Sequence, residues 1–435
     1  MTRIKQTIAQ YIAIPLLVLI AFGAGHQMVS RADISSNRSS DFRVFLAAAR
    51  ETLSGGQNLY TFTDSQGLHY IYPPTFAVLI TPLAALPQEA AATVWYLLNL
   101  LLLAATLNVT VRMLTPVGKR RKWGTLLFPL IITAEPTLAT LTRGQVGIVM
   151  LACCVFALHW HRKAQPFVAG LLVAFATILK IYSGLILFYF LIRRDWRALA
   201  GSAVGAIVFG FLIPAPVLGP RLTLVHWRAW ITTIVLPFLS SRTEDSPLYG
   251  ELQNLDIMRN QSMLATMKHF GTIAGITGSG VTWIKLAAVV LAVAALILLA
   301  IAWRREGDGG NDYRVPMQWS LALIAGLMLV PVSWIHYYCL MIFPFAIVSS
   351  YLRYGAHRQV WRMFRACAIM VGVLSAVSMA FSALDGPLQQ TPWYEFFIVL
   401  RSMGLAFWST LATGIAFFCV LAGRVKMPLN TSQET

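Results

Sequence analysis

The amino-acid sequence predicts an all-α, polytopic membrane protein, and three features carry that expectation. Hydrophobic residues make up 57% of the 435 and charged residues only 12%, with a mean hydropathy of +0.66, whereas soluble domains carry about 25% charged residues. The apolar residues fall in long runs with short polar stretches between them, as crossings of about 20 residues through a ~30 Å hydrocarbon core require. The formal charge of +17 sits in compact Lys/Arg clusters between those runs, the mark of cytoplasmic loops and not of a nucleic-acid-binding face. Cys153, Cys154, Cys339, Cys367 and Cys419 all lie in apolar runs without metal-ligand spacing. They read as small core residues, and nothing in the sequence points to a metal or a cofactor.

Taken in order, the chain opens with Arg3 and Lys5 ahead of the apolar run Tyr11 to Phe22, and no small-x-small cleavage site follows. That run reads as a retained span with the N-terminus in the cytoplasm. Basic clusters mark the cytoplasmic side at Lys119 to Lys122, His161 to Lys163, Arg193 to Arg197, Arg304 with Arg305 and Arg314, Arg353 to Arg365, and Arg424 with Lys426. Between consecutive clusters the chain crosses an even number of times, which makes hairpins of residues 124–160, 166–192, 198–303, 315–352 and 366–423. Ahead of them, the first span and the run Ala90 to Leu114 enclose a first outer loop over residues 30–89. Its proline-rich stretch Pro73 to Pro87 is short for a span at ~1.5 Å per residue and reads as re-entrant or interfacial. The expected architecture is a single integral membrane domain over residues 1–435 with about 12 transmembrane helices, both termini cytoplasmic. A second large outer loop covers residues 214–280.

The first outer loop holds the first residue suited to chemistry. Asp41 opens a short amphipathic pattern in which Phe42, Phe45, Leu46 and Ala49 recur at helical spacing, with Arg43 and Arg50 off that face. Ser40 or Asp41 would cap such a helix. A carboxylate held at the membrane surface by an interfacial helix is also placed to accept a proton from a hydroxyl, and Asp33 and Asp64 are the other carboxylates nearby.

The hairpins add polar groups at their apices. Two crossings within residues 166–192 leave each limb roughly 20 Å long, so the apex Lys180-Ile181-Tyr182-Ser183-Gly184 is recessed below the outer surface. A lysine and irregular backbone at that depth imply a water-filled or protein-lined cavity, or a structural partner such as Glu135. The first hairpin turns at Thr142-Arg143-Gly144-Gln145 and the fourth at Ser333-Trp334-Ile335-His336-Tyr337-Tyr338. Arg143, Lys180 and His336, flanked by Gln145, Tyr182 and Tyr337, thus share the side of Asp41. In the second outer loop, Asn260 and Gln261 belong to an amide-rich stretch of the kind that reads sugar hydroxyls.

Cations to hold an anion, a carboxylate to take a proton and an opening toward lipid suit transfer of a group from a lipid-linked phosphate. One carboxylate and one attack imply inversion. A transporter or flippase of a lipid-linked or anionic substrate is the rival class, since it too has broken spans and intramembrane charges; against it, no inverted repeat is evident.

Asp41-Phe42-x-Val44-Phe45, Leu59-Tyr60, Tyr70-x-Tyr72-Pro73-Pro74-x-Phe76-Ala77-x-Leu79 and Pro82-Leu83-x-x-Leu86-Pro87 together resemble the opening signature of glycosyltransferase family 87. Gly144-Gln145, Lys180-Ile181-Tyr182, Asn260-Gln261-Ser262 and Trp334-x-His336 follow in that family's order. The resemblance implies a GT-C fold, Asp41 as catalytic base, and a polyprenyl-phosphate donor of mannose or arabinofuranose. It implies a glycolipid or glycan acceptor, in a bacterial plasma membrane with the active site toward the periplasm or exterior. His336 joins Asp41 as a catalytic candidate; Arg143, Gln145, Lys180 and Tyr182 are candidates for the donor phosphate. Tyr72, Asn260, Gln261, Trp334 and Tyr337 are candidates for substrate contact. Gly147 and Ser183 depart from the family, which often has Asn and Pro there.

Overall fold

Large apolar side chains stand exposed along the long helices of this chain, Leu97 and Leu101 on one, Val289, Val290 and Ile297 on another, Ile369 and Val373 on a third. Faces of that kind are stable against lipid and not against water. By length and composition, four helices can cross a bilayer: Gln88–Leu114, Trp196–Leu218, Ile335–Tyr354 and Arg358–Leu384. The pair Trp123–Ile132 and Ala134–Arg143, bent by 75°, makes a fifth if it is one span, and seven shorter apolar helices accompany them. The protein is an integral membrane protein.

The computed structural model describes residues 18–33, 40–57, 59–64, 66–239, 255, 260–276, 279–304, 313–388, 391–392 and 403–422. Among these the chain is helical without β-strands, apart from isolated backbone bridges between Thr63 and His69 and between Asn260 and Trp334. The start of the first expected span, the charged stretch Arg242 to Asp245, Asn254, Asp256 to Arg259, Arg305, Arg424 and Lys426 lie outside the described residues.

Helix α1 covers 18–32, and the first outer loop folds into α2 (Asp41–Leu53) and α3 (Pro74–Ala84) before α4 (Gln88–Leu114). Aromatic packing joins them: Phe42 of α2 stacks on Trp95 of α4 at 6.1 Å, and Phe45 meets Tyr72 and Phe76 edge-on at 4.9 and 4.8 Å. The bent pair α5 (Leu127–Ile132) and α6 (Ala134–Arg143) leads through Gly144 into α7 (Gly147–Arg162). Then α8 (Pro166–Leu179) stops at Lys180, whose extended backbone (φ −150°, ψ 120°) separates it from a 3-10 turn over Ile181–Gly184 and α9 (Leu185–Ile192). The break falls where the length argument located an apex.

Helix α10 (Trp196–Ile207) packs on α8 backbone against backbone. A Cβ on Gly201 would lie 2.0 Å from the Phe167 carbonyl oxygen, the close approach that small residues permit between helices in lipid. Beyond it, α11 (Pro220–Trp230) reaches back to the first outer loop. His226 Nε2 contacts the Gly56 carbonyl at 2.5 Å, and Trp230 Nε1 donates to Ile71 O at 3.0 Å. Burial holds His226 below the ordinary imidazole range, so at neutral pH its Nε2–H is the donor to that carbonyl.

Helix α12 (Met263–Ile273) and α13 (Ser279–Arg304) precede α14 (Arg314–Leu329). After α14 the backbone is extended at Val330, then winds as a 3-10 segment over Ile335–Met341 into α15 (Ile342–Tyr354). Helices α16 (Arg358–Leu388) and α17 (Leu405–Leu421) pack on one another at the end of the described chain.

Candidate functional site

Two helix breaks, the first outer loop and the N-terminal part of α2 converge on one cavity of about 210 Å3, lined by Asp41, Val44, Phe45, Leu68, His69, Ile71, Tyr72, Arg143, Gln145, Trp334, His336 and Tyr337. Asp41 and Arg143 are thus brought together although 102 positions separate them in the chain, and Arg143 Nη1 stands 3.8 Å from Asp41 Oδ2. Their side chains are 28% and 33% exposed, open to whatever enters. Ser40, and not Asp41, occupies the N-cap; it makes no side-chain cap bond, and Asp41 is the first helical residue. The carboxylate is therefore left to the cavity, at the helix end where a negative charge is favoured.

The turn that delivers Arg143 depends on Gly144, whose φ of +70° suits glycine and whose Cβ, if present, would lie 2.6 Å from Phe42 Cβ. Its carbonyl accepts from Trp95 Nε1 at 2.8 Å, and Gln145 N–H donates to Thr140 O at 2.9 Å. The Gln145 side chain accepts from the Tyr72 hydroxyl at 2.8 Å, linking the break at Arg143 to Gln145 to the first outer loop. Burial pushes the Tyr72 phenol well above its ordinary range, so it serves as a neutral donor.

Lys180 does not line the cavity directly. Its Nζ lies 3.6 Å from the centre of the Tyr337 ring and 5.5 Å from that of Tyr72, a cation held between aromatic faces. Glu135, the alternative partner, accepts instead from Ser378 at 2.7 Å and from Ser382 on α16. Tyr182 stands behind this layer, its ring 5.6 Å from Tyr337 and its hydroxyl 3.7 Å from Met150 Sδ.

His336 is 4% exposed, and its Nε2 has no hydrogen-bond partner among the described residues. Its ring meets Tyr337 edge-on at 4.7 Å, and its carbonyl accepts from Thr140 Oγ1 at 2.9 Å. A buried polar nitrogen left unmatched in a cavity wall is expensive unless a ligand completes it.

Asn260 and Gln261 differ from the sequence expectation. They do not line the cavity; they sit behind its wall and hold it. Asn260 Oδ1 accepts from Ser333 and Ser262 N–H at 2.9 and 3.1 Å, while its Nδ2 donates to Pro331 O at 3.0 Å. Gln261 N–H donates to Ser333 O at 2.8 Å, and its carbonyl accepts from Tyr338 at 2.5 Å. The Asn260 side chain and the Gln261 backbone serve here as a strut for Ser333 to Tyr338, because the unwound backbone after α14 needs partners inside the protein.

Arg43 is a second difference. Helical spacing put it off the apolar face, yet it is buried, with Nη1 donating to Asp33 O at 3.1 Å and Nη2 standing 3.5 Å from Asp64 Oδ2. The other Asp64 oxygen accepts from the N–H groups of Gln66 and Leu68 at 2.8 and 2.9 Å. Sequence reasoning also passed over His69, which lines the cavity one residue ahead of the Tyr70-x-Tyr72 motif. Its adjacency to that motif is the one signal that pointed to it.

Residues 70–331 match the family model of glycosyltransferase family 87. The chain is 27% identical over 385 residues to a polyprenol-phosphate-mannose-dependent alpha-(1-2)-phosphatidylinositol mannoside mannosyltransferase of Mycolicibacterium smegmatis, covering 85% of this chain and 77% of that one. It is 26% identical over 393 residues to the protein of the same description from Mycobacterium tuberculosis, covering 85% and 81%. An alpha-(1->3)-arabinofuranosyltransferase of Corynebacterium glutamicum matches at 23% over 427 residues, covering 95% and 88%. Among solved structures, that of ArnT from Cupriavidus metallidurans bound to undecaprenyl phosphate aligns with a TM-score of 0.38 at 15% identity, over 96% of this chain and 78% of that one. The family match spans more than half of the sequence, including three of the four motif groups beyond the opening residues, and the chain belongs to glycosyltransferase family 87.

Proposed function

We propose that this protein is an inverting glycosyltransferase that moves a sugar, mannose or arabinofuranose, from a polyprenyl-phosphate donor to a hydroxyl of a glycolipid or glycan. The acceptor oxygen gives its proton to the Asp41 carboxylate and attacks the anomeric carbon. The bond from that carbon to the phosphate oxygen breaks, and the polyprenyl phosphate leaves with the electron pair. Arg143 and Lys180 offset the phosphate charge, and His336 Nε2 completes its hydrogen bonding on the phosphate or on a sugar hydroxyl. Tyr72, Trp334 and Tyr337 supply ring faces for sugar or prenyl packing, and Gln145 holds Tyr72 in place. Positioned charges of this kind are worth most where water is excluded.

The observation that carries this reading is the meeting of Asp41, Arg143 and His336 around one cavity. The proposal includes a single integral domain of about 12 crossings with cytoplasmic termini, the cavity facing away from the cytoplasm in a plasma membrane, as the basic clusters direct. The test is transfer from labelled polyprenyl-phosphate mannose by the purified Asp41→Asn protein. Asn keeps the shape but takes no proton, so turnover falls by at least ~10²-fold, the usual cost of a lost general base. Undiminished transfer refutes the assignment.

A further inference from the structure

The cavity has two chemically different walls. One is made by the breaks at Arg143 to Gln145 and Trp334 to Tyr337, with Lys180 behind Tyr337; it carries the cations and the unmatched His336 nitrogen. The other is made by Leu68, His69 and Ile71 of the first outer loop, and His69 is its titratable group. In an in-line displacement the nucleophile enters opposite the leaving group, so a phosphate held by the cations leaves the acceptor to the part of the lining that carries none.

We infer that Leu68, His69 and Ile71 form the acceptor subsite, that His69 hydrogen-bonds a hydroxyl of a neutral glycoside there, and that the Arg43–Asp64 pair is its positioning device. The inference rests on the glycosyltransfer reading above and adds where the acceptor binds. A wall with apolar Leu68 and Ile71 flanking one imidazole suits a sugar, which offers C–H faces between hydroxyls, better than it suits an anion.

This wall is held in place by ties outside the cavity. Arg43 is two residues beyond Asp41 on α2, and Asp64 joins it to the backbone N–H groups of Gln66 and Leu68. Asp64 N–H and Leu68 O close the same turn at 2.9 Å, and Thr63 bridges His69. At the other end Trp230 holds Ile71 O at 3.0 Å and Tyr60 holds Tyr72 O at 3.0 Å. Base and wall are thereby mounted on one frame: the helix that begins at Asp41 carries the arginine that anchors the loop. That arrangement fixes the acceptor hydroxyl relative to the carboxylate, as orientation-dependent catalysis requires.

The experiment measures the KM for octyl mannoside and for octyl arabinofuranoside as acceptor probes, and separately the affinity for undecaprenyl phosphate, in the full-length protein in detergent. His69→Ala and His69→Phe each raise the acceptor KM at least tenfold and leave the affinity for undecaprenyl phosphate within twofold. Asp64→Asn, which retains an oxygen for the amides but loses the charge, gives the same split more weakly; if it does not fold, the two His69 variants decide. An acceptor KM unmoved in both His69 variants overturns the inference, as does a parallel loss of undecaprenyl phosphate binding, which would give the wall to the donor. Wild-type transfer to neither glycoside also counts against a neutral sugar acceptor. Asp41→Asn separates the failures: if it is inactive while the His69 variants behave as wild type, only the acceptor wall falls, and if it is fully active, the functional reading itself falls.

Discussion

Helix α2 contributes to two aspartate–arginine pairs of opposite character. Asp41 faces Arg143 across 3.8 Å with 28% and 33% of the side chains exposed, whereas Arg43 faces Asp64 at 3.5 Å with 3% and 4% exposed. The first pair is long and open to the cavity, which is why the proposed mechanism assigns the proton to its carboxylate. The second is sealed and is tied further to Asp33 O and to two backbone N–H groups. The same two residue types two positions apart thus stand at an open cavity in one case and in a sealed tie in the other. Solvent access makes the difference.

The contrast is broken if the two aspartates behave alike. In Asp41→Asn, transfer falls by at least ~10²-fold while the thermal midpoint stays close to that of the wild type, because a partly exposed ion pair is worth about 0 to 1 kcal/mol. In Asp64→Ala the order reverses. Losing one partner of a buried pair costs on the order of 3 kcal/mol, read as a lowered midpoint in detergent, and no proton acceptor is removed. If Asp64→Ala is inactive at full stability and Asp41→Asn is active, the base belongs on Asp64.

Two substitutions on the cationic wall sharpen the comparison. His336→Ala lowers turnover by roughly tenfold or more, within the range for a lost hydrogen-bonding or proton-handling group, with the protein still folded; unchanged turnover would return His336 to a packing role. Lys180→Met weakens undecaprenyl phosphate binding by roughly tenfold, or ~1.4 kcal/mol, and leaves the acceptor KM unchanged. A Lys180→Met protein that fails to fold, and that Glu135→Gln rescues, would make the lysine half of a structural pair.

The smallest effect belongs to the link between the walls. Tyr72→Phe removes the 2.8 Å bond to Gln145 at a cost of about 1 kcal/mol, seen as a modest drop in thermal midpoint. An effect on transfer as large as that of Asp41→Asn would mean that the Tyr72 hydroxyl touches substrate.

Some of this protein is determined by sequence alone, because the relevant physics is local. Membrane insertion follows from the sum of transfer energies along each run, and the basic clusters carry orientation information wherever the chain folds. Lys180 within an apolar run marks a helix break, since an ammonium and unpaired backbone cannot face lipid, and α8 does end at Leu179. The motifs that identify the family are likewise read residue by residue.

Tertiary structure decided what depends on contacts between distant segments. Asp33, Asp41 and Asp64 are equivalent carboxylates on paper; their difference arises because Arg143 approaches one from 102 positions away and Arg43 seals another from 21. Asn260 and Gln261 have the composition of a sugar-binding loop, but the unwound chain at Pro331 to Ser333 bonds the Asn260 side chain and the Gln261 backbone N–H, and the Gln261 side chain accepts from Ala406 N–H. His69 carries no signal beyond its place beside the Tyr70-x-Tyr72 motif, and the folding of the first outer loop brings it to the cavity. Burial and pairing are properties of the packed whole, since they are set by which groups exclude water from one another, and composition along the chain does not contain them.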